Sequence, residues 1–521
     1  MQSLSKEEKT HIRSILFRHL DGIAIIPSCI QLEKKGILSS FNTKTTQTLN
    51  DISTNTHSND AYINVALRLC SSQGWLDQKI ANNDIFFSLT DRGKVFLSQI
   101  KAFDNAIPIL PHLSDFSRLC KEHYGLIEEY IKALFSLHSK LNEQLFNQMC
   151  GLIIGPLLVH WGMGSHLTNQ KPLNTKDLPG GMLANIPLFS LMKLIGWGDI
   201  QEETFFPNII GNAFFKRCSA YGVTTSYLPM FNKLEDLFYG DPACLWKRPK
   251  NSPEIHVNRT MNVWGSGGAH SGYFNKVDEI VIEIFNRPLE DQPAGIADMG
   301  CGNGALLAHL FELIEHHTLR GKHLDTHYLH LIGADLNKAA LDSSKKNLLE
   351  QGIEAEFLYA DISDPAQYAK DLKSAFNVNL EDLLNVRSFL DHNRIYKKPS
   401  AFNRTDKSLS TGSFAYRGRL IPNDELEYNL IQHFKSWAPF VKSFGLILIE
   451  LHTIPPVLAA KNIGKTSVTA YDGTHGYSDQ YIIEKDIFLQ CAAQAGLLPN
   501  PKFMFSFPPN DCATISINII K

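Results

Sequence analysis

The sequence predicts an α/β fold class for the C-terminal half of the chain, built on a doubly wound and mostly parallel sheet, behind a largely helical N-terminal half. Three observations predict it. After residue 274, apolar runs of strand length ("GIADMG", "YLHLIGADL", "AEFLYAD", "LLNVRSFLD", "GLILIELH") alternate with turns and helical patterns, which is the pattern of a parallel sheet flanked by helices. The first run passes directly into a turn holding Gly300, Gly302 and Gly304, with a helical pattern from Ala305. The last two runs, "KFMFSFPP" and "CATISINIIK", have no room for a helix between them. They should form an antiparallel hairpin at the sheet edge, making seven strands of which the last is antiparallel.

The totals bound the rest. At 521 residues the chain exceeds the usual size of one domain, so two or three are expected. Its 44% hydrophobic and 20% charged residues are an ordinary globular balance,. A net charge of -3 offers no general attraction to nucleic acid or to an anionic membrane,. Nine cysteines are scattered with no C-x-x-C pair, and "MQSLSKEEKTHIRSILF" is not a secretory signal. Reduced thiols in a cytoplasmic protein fit best. The most apolar stretch, Cys150 to Met163, is too short to span a bilayer and carries His160; it reads as a buried helix.

Residues 1–105 come first. "AYINVALRLCSSQGWLDQK" has helical spacing with a stop at Gly74, and "DIFFSLTDRGKVFLSQI" reads as a strand, a turn at Asp91 to Gly93 and a helix,. Helix, Gly-Trp-Leu, strand and "LTDRGKVFL" together resemble a winged helix. Such modules bind DNA in many regulators and serve dimerisation or substrate enclosure in many enzymes, so a homodimer is compatible with this one. A DNA reader needs a basic recognition helix, and Ala61 to Lys79 offers only Arg68 and Lys79,. Residues 106–250 read as mostly helical, broken at "NQKPLNTKDLPGGM": a helical lid or a packing domain. The Gly/Pro/polar-rich stretch Lys247 to Phe274 marks the boundary into a third domain, 251–521.

The glycine turn carries the first chemistry. Ligands of doubly wound sheets sit at the carboxyl ends of the strands, and glycine lets the backbone approach them. Asp298 precedes the turn, Asp335 stands at the tip of the second strand and Asp361, followed by Ile362, at the tip of the third. The turn lacks the G-x-G-x-x-G dinucleotide spacing and any Gly-Lys-Ser/Thr of a P-loop,. "D-M-G-C-G-N-G" with Asp335 and Asp361 resembles the class I S-adenosylmethionine-dependent methyltransferases, over about residues 263–521. The resemblance implies a Rossmann-like sheet with S-adenosylmethionine as cofactor. It also implies that Asp298, Gly300, Gly302 and Gly304 hold the methionine part, Asp335 the ribose, and Asp361 with Ile362 the adenine edge. The long link "ELIEHHTLRGKHLDTHYLH" before the second strand departs from the usual spacing; an extended helix and loop would accommodate it.

Methyl transfer needs the acceptor held close and often deprotonated. The fourth strand ends in Asp391, His392, Asn393 and Arg394, and the fifth in Glu450 and His452. "TAYDGTHGYSDQYI" supplies Asp472, His475, Tyr477, Asp479 and Gln480 in what reads as a loop with two turn glycines, and His270 stands at the entrance. His392 is the candidate general base, since imidazole takes a proton near neutral pH; a strand-capping histidine is the alternative. Glu450 would orient it, or be a buried structural acid. Arg394 fits a substrate carboxylate, or a structural ion pair. His475, Gln480 and His392 or Asp391 offer a mixed N/O ligand set suited to Fe or Mn; a hydrogen-bonded substrate loop is the alternative.

"GSGGAHSGYF", "FLDHNR", "ELHT" and "DGTHGYSDQY" are similar to the iron- or manganese-dependent C-methyltransferase domains that build polyketide starter units from malonyl groups on an acyl carrier protein. That likeness implies catalytic roles for His392, Glu450 and His475 and a small or carrier-bound acyl acceptor. Two other functions stay open: an O- or N-methyltransferase of a small natural product, and a non-enzymatic winged-helix sensor of S-adenosylmethionine.

Overall fold

A computed structural model describes all residues except 1–3, 82–83, 168–170, 250–251, 253, 400–401 and 403–406, and the side chains of 268–271. His270 therefore lies outside the described residues. The chain forms two compact units. The first comprises Met1–His270, Ser413–Ile421 and Pro455–Asp479; the second comprises Ser271–Gly412, Pro422–Ile454 and Gln480–Lys521. Two short returns from the C-terminal half thus complete the first unit.

Two long helices run through the first unit, Lys6–Lys34 and Glu143–Met163. The first is opened by a capping box between Ser5 and Glu8, which satisfies two orphan donors reciprocally. They cross at Gly22 and Gly151, where an added Cβ would stand 2.0 Å from the Gln148 carbonyl oxygen and 2.2 Å from the His19 Cα. Only glycine at both positions allows that approach. Glu143–Met163 is longer than the apolar run alone suggests, so length does not exclude a membrane span. Both helices are long and apolar enough to cross one, but 72% and 83% of their apolar windows are buried inside the protein, as core helices are.

Among the described residues the first unit also holds three small sheets, the two-stranded pair Phe414–Tyr416 and Arg419–Ile421 and two of three strands each. Strand Leu76–Ala81 pairs with Asp84–Leu89, which pairs with Thr46–Thr48, behind helix Asp60–Ser72. The helices and the strand Asp84–Leu89 expected there are present, but Leu76–Ala81 adds a strand that was not expected and Asp91 to Gly93 is no separate turn. The Thr90 side chain accepts from the Gly93 N–H and starts helix Asp91–Gln99 at once. A second three-stranded sheet, Leu173–Asn174, Thr204–Pro207 and Gly198–Gln201, accompanies helix Gly181–Leu194. The stretch 106–250 is mostly helical, as expected, with this small sheet in addition. Strands of two to four residues are too short to show period-two alternation,.

The polar stretch read as a boundary, Lys247 to Phe274, passes into one long helix, Arg259–Phe285. Its glycines tolerate a helix at an entropic cost. "DGTHGYSDQY" is likewise not a loop with turn glycines: Val468–Gly476 is helical, and Gly473 and Gly476 lie inside it.

The second unit is the expected doubly wound sheet. Its strands are β1 (Gly295–Met299), β2 (His330–Asp335), β3 (Glu356–Tyr359), β4 (Leu383–Ser388), β5 (Leu446–Leu451), β6 (Pro499–Phe507) and β7 (Ile515–Ile520). They run in the order β6-β7-β5-β4-β1-β2-β3. β7 is antiparallel to β5 and β6, and the pairs from β5 to β3 are parallel. Every residue of β1, β5 and β7 is buried. That explains their largely apolar runs, since helices cover both faces of a parallel sheet. The long link before β2 forms helix Ala305–His317 and a short helical turn, Arg320–His323. Buried Arg320 ties it down, donating to Gln292 Oε1 at 3.0 Å and to the Pro293 carbonyl at 2.9 Å.

Candidate active site

The parallel strands end together, and the site is built at those ends. Gly300, Gly302 and Gly304 all adopt left-handed backbone, with φ of 79°, 56° and 79°, which glycine takes without steric cost. Their surroundings differ. A Cβ on Gly304 would meet Ser344 Oγ and Leu348 Cδ1 at 2.4 Å, so this glycine serves the packing of helix Lys338–Glu350. A Cβ on Gly300 would meet Leu390 Cδ2 at 3.0 Å. Gly302 has open space around it, with nothing nearer than 4.0 Å; it is the one whose backbone a ligand can approach. Its N–H donates to Asp335 Oδ2 at 3.2 Å, while Asp335 Oδ1 accepts from the Asn337 N–H at 2.8 Å. Asp361 Oδ1 takes the Ser363 N–H at 2.7 Å, and the Ile362 carbonyl takes Trp437 Nε1–H at 2.8 Å.

Asp298 is 1% exposed, and its Oδ1 has no hydrogen-bond partner. Burial, reinforced by the charge of Asp335, pushes its carboxyl up to about 7. A buried acid with an orphaned oxygen calls for a cationic partner. The ammonium of S-adenosylmethionine has that character, and the carboxylate of Asp335 suits ribose hydroxyls. The residues present fit the cofactor.

Across the sheet, at the β4 and β5 tips, His392 and Glu450 meet. His392 Nδ1–H donates to Glu450 Oε1 at 2.5 Å, and the His392 backbone N–H donates to Glu450 Oε2 at 3.2 Å. Both side chains are buried. A carboxylate on Nδ1 holds the neutral ring in the tautomer whose lone pair is on Nε2. The turn beneath is clamped. Asp391 Oδ1 lies 3.0 Å from Arg387 Nη2 and 3.0 Å from His433 Nε2. Burial would raise the Asp391 carboxyl, but Arg387 and His433 outweigh it and hold it below its ordinary value. Arg387 lies over the Trp437 ring at 4.5 Å. Arg394, 4% exposed, donates to Asn429 Oδ1 and to the Asp391 carbonyl, and its Nη2 has no partner.

The remaining sequence candidates fall elsewhere. His452 spends both ring nitrogens, on the Ile483 carbonyl at 3.1 Å and Ser516 Oγ at 2.8 Å. Burial drives its imidazole down to about 4, so it is a neutral structural group. His475, Asp472, Tyr477 and Asp479 belong to the first unit, whereas His392 and Gln480 belong to the second. His475 Nδ1 faces the Tyr471 carbonyl at 2.9 Å, Asp472 pairs with Arg68 at 3.2 Å, and Tyr477 Oη meets Ser28 Oγ at 2.9 Å. Among the described residues no three His, Cys, Asp or Glu side chains gather as a metal cluster. Sequence reasoning missed Arg387, His433, Trp437 and Tyr368. The Tyr368 hydroxyl is buried without a partner, and Asp298 helps burial raise it. Apart from Asp391, four residues after Arg387, their partners are distant in sequence, and no local pattern marks them.

Comparison with known proteins finds family models along the chain. The model of the AprA MT2-like methyltransferase domain matches residues 254–518. The AprA N-terminal domain matches 12–78, and the AprA winged helix domain matches 150–241, which contains the second three-stranded sheet. No curated protein matches the sequence. Similar solved structures include an O-methyltransferase family protein from Burkholderia thailandensis (12% identity, 71% of this chain and 94% of that one, TM-score 0.39). The mitomycin 7-O-methyltransferase MmcR is another (10% identity, 70% and 93%, TM-score 0.38). So is the DszA carbon methyltransferase (11% identity, 70% and 86%, TM-score 0.28).

Proposed function

The chain belongs to the AprA MT2-like family of class I S-adenosylmethionine-dependent methyltransferases, and from that premise we propose that it methylates the α-carbon of an acyl thioester of the malonyl or ketoacyl type, small or carried on an acyl carrier protein, in polyketide-like biosynthesis. The observation that carries this is the His392–Glu450 pair at the tips of β4 and β5. S-adenosylmethionine, when bound, supplies a methyl group on a sulfonium and leaves as a neutral thioether. His392 Nε2 takes the proton from the acceptor α-carbon, and the electron pair left behind attacks that methyl. Glu450 stabilises the imidazolium that forms, as a carboxylate on the far nitrogen does in other histidine bases. Arg394 Nη2, buried without a partner, supports a malonyl-type acceptor whose free carboxylate it would hold. The reading places the enzyme in the cytoplasm, with neither nucleic acid nor membrane as partner.

A metal-assisted version has one observation in its favour. The Tyr471 carbonyl accepts from His475 Nδ1–H, which leaves Nε2 as a ligating nitrogen, the usual arrangement for a metal-binding histidine. His475 would supply one ligand for Fe or Mn.

The test is mass spectrometry of a malonyl-loaded carrier protein after incubation with enzyme and S-adenosylmethionine, with and without chelator. A methyl gain at the α-carbon that chelator leaves intact supports the His392 reading. A gain abolished by chelator, with Fe or Mn in the purified protein, selects the metal-assisted version. No gain on any acyl thioester, with methylation of a hydroxyl or amine of a small molecule, overturns the carbon acceptor.

A further inference from the structure

Between the end of β4 and His392 stands Phe389, with φ +54°. A bulky non-glycine residue in the left-handed region is strained, and such residues persist only where their surroundings hold them. Phe389 is held twice. Its N–H donates to the Ile449 carbonyl at 2.7 Å, on the neighbouring strand β5. Its ring lies 6.3 Å from the Tyr273 ring, which in turn lies 5.1 Å from Phe507.

The bend has two consequences. Leu390, the next residue, turns toward the glycine loop, so that a Cβ on Gly300 would stand 3.0 Å from Leu390 Cδ2. The chain then closes a short helical turn, Asp391–Asn393, with Asn393 N–H donating to the Leu390 carbonyl at 2.9 Å. That turn brings both the backbone and the ring of His392 onto Glu450. One backbone reversal therefore sets the base and one wall of the cofactor loop together. An extended residue at this position would continue β4 and carry His392 away from Glu450.

We propose that Phe389 is a positioning residue whose left-handed backbone aligns His392 with Glu450 and seats Leu390 against Gly300. This rests on His392 acting as the base. The backbone, not the ring, does the positioning.

The test uses the full-length enzyme with four substitutions: Phe389→Gly, Phe389→Asn, Phe389→Val and His392→Ala. Glycine and asparagine accept left-handed backbone, whereas a β-branched residue resists it. Thermal melts identify variants that fold. Phe389→Gly and Phe389→Asn should keep kcat within about threefold of the parent and the same acid limb of the kcat/KM pH profile. Phe389→Val should lose about tenfold or more in kcat, move that limb and weaken S-adenosylmethionine binding by calorimetry. A folded Phe389→Val with parental kcat, pH profile and cofactor affinity overturns the proposal. So does an equal loss in all three, which would assign the role to the ring. If Phe389→Val fails to fold, the comparison of Phe389→Asn with Phe389→Gly decides: parental pH profiles in both support the proposal, and a displaced limb in both overturns it. Full turnover in His392→Ala defeats the reading of His392 as base. The effect of Phe389→Val on cofactor affinity through Leu390 and Gly300 would still be read separately.

Discussion

Glu450 holds His392 by two bonds at once, Oε1 to the ring Nδ1–H at 2.5 Å and Oε2 to the backbone N–H at 3.2 Å. One carboxylate thereby sets both where the imidazole stands and which of its nitrogens keeps the lone pair. Removing either partner has distinct consequences.

His392→Ala should lower kcat by about 10² to 10⁴, the range of a general base, while leaving S-adenosylmethionine affinity unchanged. Glu450→Gln can still accept from one His392 N–H, so its loss should be smaller. Steady-state methyl transfer with calorimetry of cofactor binding checks both. A His392→Ala variant that loses cofactor affinity instead would make the residue part of the cofactor site.

Asp298 predicts a pH dependence. Its folded carboxyl sits at about 7, above the ordinary 3.8, because burial disfavours its charge. Between those values the folded protein keeps a proton that the unfolded chain has lost, so its contribution to stability falls as pH rises from 3.8 toward 7,. Asp298→Asn should flatten that part of the profile relative to the parent and weaken cofactor binding most above pH 7. Thermal melts of the cofactor-free protein across this range, parent against variant, measure it; parallel profiles would contradict it.

The glycines separate by mechanism. Gly304→Ala drives a Cβ against Ser344 Oγ and Leu348 Cδ1 at 2.4 Å and strains a φ of 79°. It should cost about 1–3 kcal/mol of stability, part of which Ser344→Ala restores. Gly302→Ala meets open space, so it should cost about 1 kcal/mol from its left-handed backbone alone and act chiefly on cofactor affinity. Denaturant unfolding paired with binding assays distinguishes the two. Equal stability losses would mean that the loop has one role throughout.

In the first unit, Arg68 and Asp472 form an ion pair at 3.2 Å with side chains only 2% and 4% exposed. Arg68→Ala leaves a buried carboxylate without its cation and should destabilise by about 3–5 kcal/mol. Replacing both residues with apolar ones of similar size should cost much less. Chemical denaturation of the single and double variants measures the difference.

The strand–glycine turn–helix unit and the acids that follow the next strands were legible because their signals are local. Asp298, the three glycines and helix Ala305–His317 follow one another in a single strand–turn–helix unit, and Asp335 and Asp361 follow the next two apolar runs. His392 and Glu450 could be named from their strand ends, but not their contact, since 58 residues separate them. Arg387, His433 and Trp437 carry no periodic signal; they matter only because β4 and helix Asn423–Val441 are brought together. The helical state of Val468–Gly476 defied its two glycines, because buried packing outweighs a propensity of about 1 kcal/mol per residue.

Local sequence was enough for the class of the second unit, the order of its elements and the three acids at or just past the ends of β1, β2 and β3. Hydrophobic runs, turn glycines and strand-end acids act over a few residues, where chain connectivity already constrains geometry. Tertiary structure decided which residues share a carboxylate, which glycine is open to a ligand, and that Phe389 bends left-handed. It also decided that 413–421 and 455–479 complete the first unit. Those outcomes depend on contacts between segments far apart in the chain, where burial and the satisfaction of polar groups, rather than local preference, select the conformation.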